Sequence, residues 1–266
     1  MNGSSELKNQ LEEIYTCYNR REFVHPDPLE FLYRYHHTAD REIAGLVASG
    51  LAYGRVNQIL KSTAVVLDEL GSAPSEFLSG MELHDISELL TDFKHRFTAG
   101  TEIAAYLHAI STIQRDYGLV GSFFESLPGK LSYMEALDKF TEEVLFRMRY
   151  CHGEVCHLLP RPSRGSACKR LHLFMRWMVR KDTVDPGGWC MVGPSKLIVP
   201  VDVHMHRVGI RLGFTARKSA DSVTALEITE GFRKVSPEDP VKYDFALTRY
   251  GIQGLTRCEL FSGLLN

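Results

Sequence analysis

Apolar residues recur along this chain at helical rather than strand spacing. Ile43, Leu46, Val47, Gly50 and Leu51 fall at i, i+3, i+4, i+7 and i+8, which lines them along one face of a helix beginning near Asp40. Gly50 and Gly54 interrupt it, and a second stripe of Val56, Leu60, Thr63 and Leu67 runs to a stop near Gly71. Similar patterns predict helices around residues 87–96, 102–116 and 133–150. The stretch 152–166 is rich in Pro, Gly and Arg and predicts a loop. It leads to a helix marked by Leu171, Phe174, Met175 and Met178, with Ser163 or Ser166 as its N-cap and an end near Lys181. Turn chemistry follows in Asp185-Pro186-Gly187-Gly188 and Gly193-Pro194. Pro200 makes the apolar run 197–201 an extended lead-in rather than a strand. Beyond Asp202, a helix face of Met205, Val208, Gly209 and Leu212 precedes helices over 221–234 and 241–250. The pattern predicts an all-α protein without internal repeats.

Composition narrows the class. A chain of 266 residues with 44% hydrophobic content has room for one or two lobes with substantial cores. No run of about 18 apolar residues occurs, and the first twelve residues are polar. Neither a spanning helix nor a signal peptide is expected, and the cytoplasm is the expected location. Six scattered cysteines read as reduced thiols rather than a disulfide framework. The net charge of −2 conceals an asymmetry, because residues 161–218 carry twelve Lys/Arg against Asp182, Asp185 and Asp202. That segment sums to +9 and the remainder to −11, the distribution of a localised polyanion site on an acidic body.

Two segments carry candidate chemistry. In Val201-Asp202-Val203-His204-Met205-His206-Arg207-Val208, an acidic N-cap stands beside a polar helix face of His204, Arg207 and Arg211. Asp202 there either caps the first backbone N–H groups or serves as a reactive carboxylate. In Arg161-Pro162-Ser163-Arg164-Gly165-Ser166-Ala167-Cys168-Lys169-Arg170, a Gly-containing turn opens a helix beside several cations. Free N–H groups and a close backbone approach would suit a phosphate. Lys169, in the first helical turn, gains nothing from the helix dipole, and solvation is its ordinary fate there.

The order of a turn, a Lys, an apolar helix and then Val-Asp-x-His-x-x-Arg-Val resembles endonuclease III and the helix-hairpin-helix DNA glycosylase superfamily. Residues 219–252 resemble the paired helices that follow the aspartate helix in that family, and 43–59 its early helix and minor-groove loop. "GSACKRLHLFMRWMVRKD" with "LIVPVDVHMHR" more closely resembles an uncharacterised bacterial family usually placed in that superfamily. The resemblance implies a two-lobed fold with a cleft, one lobe over 41–150 and a discontinuous one over 1–40 and 151–266. It implies Lys169 as nucleophile and Asp202 as catalytic aspartate of a DNA-repair glycosylase and AP lyase. The implied partner is double-stranded DNA with a damaged base or abasic site, in a bacterial cytoplasm at the nucleoid. Arg164, Gly165, Ser166, Arg170, His204 and Arg207 would contact that DNA, and Trp189 and Tyr53 are candidates either to stack on a base or to pack in the core. Three departures stand out. The hairpin reads Leu159-Pro160-Arg161-Pro162-Ser163-Arg164-Gly165 in place of Leu-Pro-Gly-x-Gly. The Lys169–Asp202 interval includes a surplus Pro/Gly segment around Trp189 that could reshape the base pocket. Only Cys258 stands where relatives carry a four-cysteine iron–sulfur motif, so no cofactor is expected.

Two other classes compete. A metal-dependent hydrolase would draw on Asp202, His204, His206, Cys151, His152, Cys156 and His157, although two His separated by one residue point about 200° apart on a helix. A non-catalytic DNA-binding protein of the same fold would keep the basic stretch without the reaction.

Overall fold

The apolar stripe that begins at Ile43 is buried along almost its whole length, and the rest of the protein is arranged around it. A computed structural model describes residues 2–152 and 156–253. After α1 (Asn2–Tyr18) and a 3-10 segment at Pro28–Arg34 comes this central helix, α2 (Thr38–Gly50), in which Asp40 and residues 42–50 are buried. The second stripe forms α3 (Val56–Leu70), stopped by Gly71, and α4 (Pro74–Ser79) and α5 (Leu83–Leu89) follow.

The pattern assigned to helix over 87–96 is corrected here. The helix stops at Leu89, and a hairpin of β1 (Lys94–His95) and β2 (Thr98–Ala99) leads into α6 (Gly100–Tyr117). A Cβ on Gly100 would lie 1.8 Å from the Leu90 carbonyl oxygen, so only glycine permits the hairpin to close on α5. The chain continues through α7 (Val120–Ser126), α8 (Tyr133–His152), α9 (Lys169–Val179), α10 (Val203–Arg211), α11 (Ser222–Val235) and α12 (Asp244–Gln253). The protein is predominantly helical. The 197–201 run is an extended lead-in tied down by Val199 N–H donating to Thr229 Oγ1 at 3.0 Å.

α2 packs against the 28–34 segment, α3 and α9. The N-terminal end of α9 therefore reaches the residues that leave α2. At the other end of α9, the segment around Trp189 folds back, with Gly187 N–H on Trp177 O (3.0 Å) and Trp189 N–H on Met178 O (2.9 Å). The surplus segment caps the far end of α9, about 16 Å from Lys169 for an eleven-residue helix. It does not remodel the surroundings of Lys169.

Trp189 is corrected from a stacking candidate to a core residue. It is 5% exposed, its Nε1–H donates to Glu42 Oε1 at 2.7 Å, and its ring meets Phe174 edge-on and Phe124 at an angle. Among the described residues no helix is long and apolar enough to cross a membrane. Cys258 lies outside the described residues, as do the side chains of Cys151 and His152.

His172, one helical turn past Lys169 on α9, is fully buried with its ring stacked on Tyr133. Burial disfavours the imidazolium and pushes its pKa down to about 3. The unfolded chain thus takes up a proton near pH 6.5 that the folded chain refuses. Stability is fully present above that value and falls as the pH drops from there towards 3. His172→Gln removes this dependence. Urea denaturation at pH 6.5 and 4.5 should show the natural chain losing about 2 kcal/mol more than the variant.

Candidate functional site

The turn before α9 sets the position of Lys169. A 3-10 turn at Pro162–Arg164 ends on Gly165 at φ +76°, a conformation that glycine adopts without strain. The turn is pinned on both sides. Ser163 N–H donates to Asp138 Oδ1 on α8 (2.9 Å), and Ser222 N–H donates to Gly165 O from the start of α11 (3.1 Å). The helix N-cap is Cys168, not Ser163 or Ser166. Cys168 takes the left-handed conformation (φ 44°, ψ 34°) with its thiol buried against Pro160 O, and Ser166 Oγ accepts the Cys168 N–H at 3.2 Å. A non-glycine residue held this way costs about 1–2 kcal/mol. The kink makes Lys169 the first residue of α9.

Asp202 caps a helix and also faces Lys169. It is the N-cap of α10, where Oδ1 accepts the N–H groups of His204 and Met205, each at 2.9 Å. Its other oxygen, Oδ2, stands 3.5 Å from Lys169 Nζ. Capping fixes the carboxylate, which leaves the second oxygen aimed at the amine. Lys169 and Asp202 are each about one-third exposed or less. They sit at a chamber of about 300 Å³, the lower end of the range for small-ligand pockets.

The wall of the chamber comes from the 26–28 segment, the loop after α2, α9, α10 and α12. His204 is on it and is exposed, and Arg207 is exposed one turn further along α10. Deeper in lie Arg176, Asp244 and Arg249, each about nineteen-twentieths buried, with Asp27 beside them. Arg176 pairs with Asp244 and with Asp185, and Arg249 pairs with Asp27. Asp244 has its carboxyl pushed up to about 6. Burial is the main cause, opposed by Arg176 and reinforced by the nearby Asp202.

A second depression of about 290 Å³ shares Ala52 and Lys169 with the first and is lined by Tyr53, Gly165, Ser166 and Arg170. Gly165 and Ser166 are exposed there, as is the neighbouring Arg164. Arg170 is corrected. Its guanidinium turns inward, donating to Gly50 O (2.7 Å) and His157 O (2.6 Å), and so straps the end of α2 to the loop before α9. Tyr53 is corrected as well. Its hydroxyl donates to His95 O (3.0 Å) and pairs with Thr98 Oγ1 (2.9 Å), its ring meets His95 edge-on, and the Arg170 guanidinium lies 5.0 Å from the ring centre. That ring is held as scaffold and is not available to stack.

The basic stretch is also less outward-facing than its count of charges suggests. Arg176 and Arg180 are buried in ion pairs, Arg170 is strapped inward and Arg217 pairs with Asp221. Arg164, Lys181, Lys196, Arg207, Arg211 and Lys218 remain exposed. The metal-ligand candidates do not converge, since His206 Nε2 lies 2.9 Å from Arg217 O and Cys156 has its thiol pushed up to about 12 by burial. Among the described residues no group of three or more His, Cys, Asp or Glu is placed to hold a metal ion.

Sequence reasoning missed the inner ionic residues and also Phe97. This ring, 68% exposed at the tip of the β1–β2 hairpin, stands next to Arg96, whose side chain lies against Gly54 on the chamber wall.

Residues 27–253 match a family described as protein of unknown function (DUF2400). The chain belongs to the DUF2400 family. This corrects the membership expected from the sequence, because the match to DUF2400 does not name a helix-hairpin-helix DNA glycosylase family. No curated protein and no solved structure matches the chain. Every residue lining the chamber except Pro26 falls within the span matched to DUF2400.

Proposed function

We propose that the chain is a DNA-repair N-glycosylase with an accompanying lyase step, acting on double-stranded DNA that holds a damaged base or an abasic site. One observation carries the reading: a lysine amine 3.5 Å from a fixed carboxylate at the mouth of a chamber large enough for a small ligand. An amine held beside a base is the arrangement of an activated nucleophile. Asp202 takes a proton from Lys169, and the freed amine attacks C1′ of the sugar while the bond from C1′ to the base breaks. The electron pair of that bond leaves with the base. Opening of the sugar gives a Schiff base on Lys169, from which β-elimination cleaves the strand on the 3′ side. Asp202 also steadies the positive charge that develops on the sugar.

Other features support this reading. The target nucleotide must leave the duplex to reach the chamber, and Phe97 on the neighbouring hairpin is an apolar side chain suited to filling the vacated space. Exposed Arg164, His204, Arg207 and Arg211 suit a phosphate backbone. On this reading residues 41–150 form one lobe, the flanking segments form the other, and the chamber lies at the cleft between them.

The test is borohydride trapping on duplex DNA carrying an abasic site, with a panel of damaged bases in parallel. A covalent adduct is expected with the natural chain, none with Lys169→Ala, and about 100-fold less with Asp202→Asn. Duplex binding with no Lys169-dependent adduct would assign non-catalytic DNA binding instead.

A further inference from the structure

The hairpin that carries Phe97 is braced at two points against the loop that lines the chamber. His95 faces Thr98 across the β1–β2 ladder, so Arg96 and Phe97 alone make the turn. Arg96 takes φ +53°, a conformation that glycine, asparagine or aspartate normally supplies in such turns and that strains an arginine. What the arginine brings is its side chain. Its Nη1 lies 2.8 Å from where a Cβ on Gly54 would stand, and Gly54 itself has φ +102°. The turn is thereby seated on the loop after α2, of which Gly54 lines the chamber.

His95 provides the second attachment. It is fully buried, and its two ring nitrogens meet different elements. Nε2–H donates to Tyr53 O at 3.1 Å, which leaves Nδ1 to accept the Ser62 hydroxyl of α3 at 2.9 Å. Gln58 donates to the same Ser62 oxygen at 3.2 Å. Burial lowers the proton affinity of the imidazole. The Tyr53 carbonyl opposes that shift, and nearby Arg96 and Arg170 add to it. The ring is therefore neutral at pH 7, with one donor and one acceptor for its two partners. Tyr53 returns the contact through its hydroxyl on His95 O and Thr98 Oγ1. Loop, helix and hairpin are thus tied at one imidazole. Phe97 meanwhile stays 68% exposed, with the His157 ring 5.7 Å from its own. An apolar ring on a braced support is ordered before any partner arrives, so binding need not immobilise it.

We propose that His95 and Arg96 are positioning residues that set Phe97 at a fixed place beside the chamber, so that the hairpin enters the duplex as a preformed wedge. This rests on the base-excision reading, in which Phe97 fills the space left by the displaced nucleotide, and adds the residues that hold it there. The test is titration with the full chain of a duplex in which 2-aminopurine stands opposite a tetrahydrofuran abasic analogue. The end-labelled single strand bearing the analogue is titrated in parallel by anisotropy. The natural chain should raise 2-aminopurine emission, because a ring inserted beside that base unstacks it, and Phe97→Ala should remove the rise. Arg96→Gly relaxes the turn and should melt no lower than the natural chain. Its ratio of duplex to single-strand affinity should nevertheless fall about tenfold, since the loosened tip must be ordered on binding. His95→Leu should do the same, and His95→Gln, which keeps a donor for Tyr53 O, should recover most of the ratio. Arg96→Gly carries the test where His95→Leu does not fold. Equal losses on duplex and single strand would show a lost charge or a damaged fold and would overturn the proposal. So would an unchanged ratio for Arg96→Gly, or a natural chain that leaves the emission unaltered. No bond breaks in this measurement, so the two readings fail separately. A ratio that follows the hairpin variants without any borohydride adduct keeps the wedge and loses excision. A Lys169-dependent adduct with a ratio indifferent to those variants does the reverse.

Discussion

Asp185→Ala should lower the unfolding free energy by about 3–5 kcal/mol, the size of effect seen when a buried ion pair loses one partner. Asp185 is fully buried between two guanidiniums, accepting from Arg176 Nε at 3.2 Å and from Arg180. Arg180 also reaches Asp239 (2.9 Å) and Asp182 (3.0 Å), and Arg176 reaches Asp244. The network thus runs from the turn after α9 to the chamber wall. Deleting its central carboxylate leaves two cations short of a counter-charge in a place that water does not reach. Urea denaturation would show the loss as a lower midpoint with an unchanged slope. The same measurement on Lys139→Ala, whose partner Glu142 is a partly exposed surface group, should show no shift. An unchanged midpoint for Asp185→Ala would mean that the ionic network does not hold the wall.

Trp189→Ala is the second large effect, again about 3–5 kcal/mol. The indole fills space between Phe174 and Phe124, and its N–H is one of four donors to the buried Glu42 carboxylate. The others are the backbone N–H groups of Val120 and Gly121 and the side chain of Gln114, at 2.8–2.9 Å. Trp189→Phe keeps most of the ring but removes that donor, so it should cost about 1–3 kcal/mol by itself. A base-stacking tryptophan would behave in the opposite way, with near-normal stability and weakened ligand binding. Paired denaturation and binding curves for the two variants separate these roles.

How far the sequence could be read follows from the distance over which each feature is determined. Helix faces such as Ile43, Leu46 and Val47 depend on neighbours three and four positions away, so their spacing exposes them. Asp202 was legible for the same reason, because a carboxylate directly ahead of a helix face is a local pattern, and its contact with Lys169 then follows from where α9 begins. The β1–β2 hairpin was lost because its strands are two residues long and their shape depends on the approach of Gly100 to Leu90. Trp189 was misread because its polar partner, Glu42, is 147 positions away. Nothing near Pro186-Gly187-Gly188 distinguishes a loop that caps a helix from one that reaches a ligand. The inner cations and carboxylates were illegible on similar grounds. Arg176 and Asp244 pair across 68 positions, and Asp27 and Arg249 across 222. A charged residue in a helix reads as a solvated one until its partner is known.

The last of those separations bears on how the protein comes into being. Asp27 and Arg249 complete the same wall, so during vectorial synthesis the early part of the wall must wait for α12 to leave the ribosome. Closing so long a loop also places this contact among the late steps of folding. Lys169 and Asp202 can be ordered before that moment, but the receptacle beside them cannot. A nascent chain would therefore hold Lys169 before the chamber beside it exists, and any capacity to seat a ligand there would arise only with the finished fold.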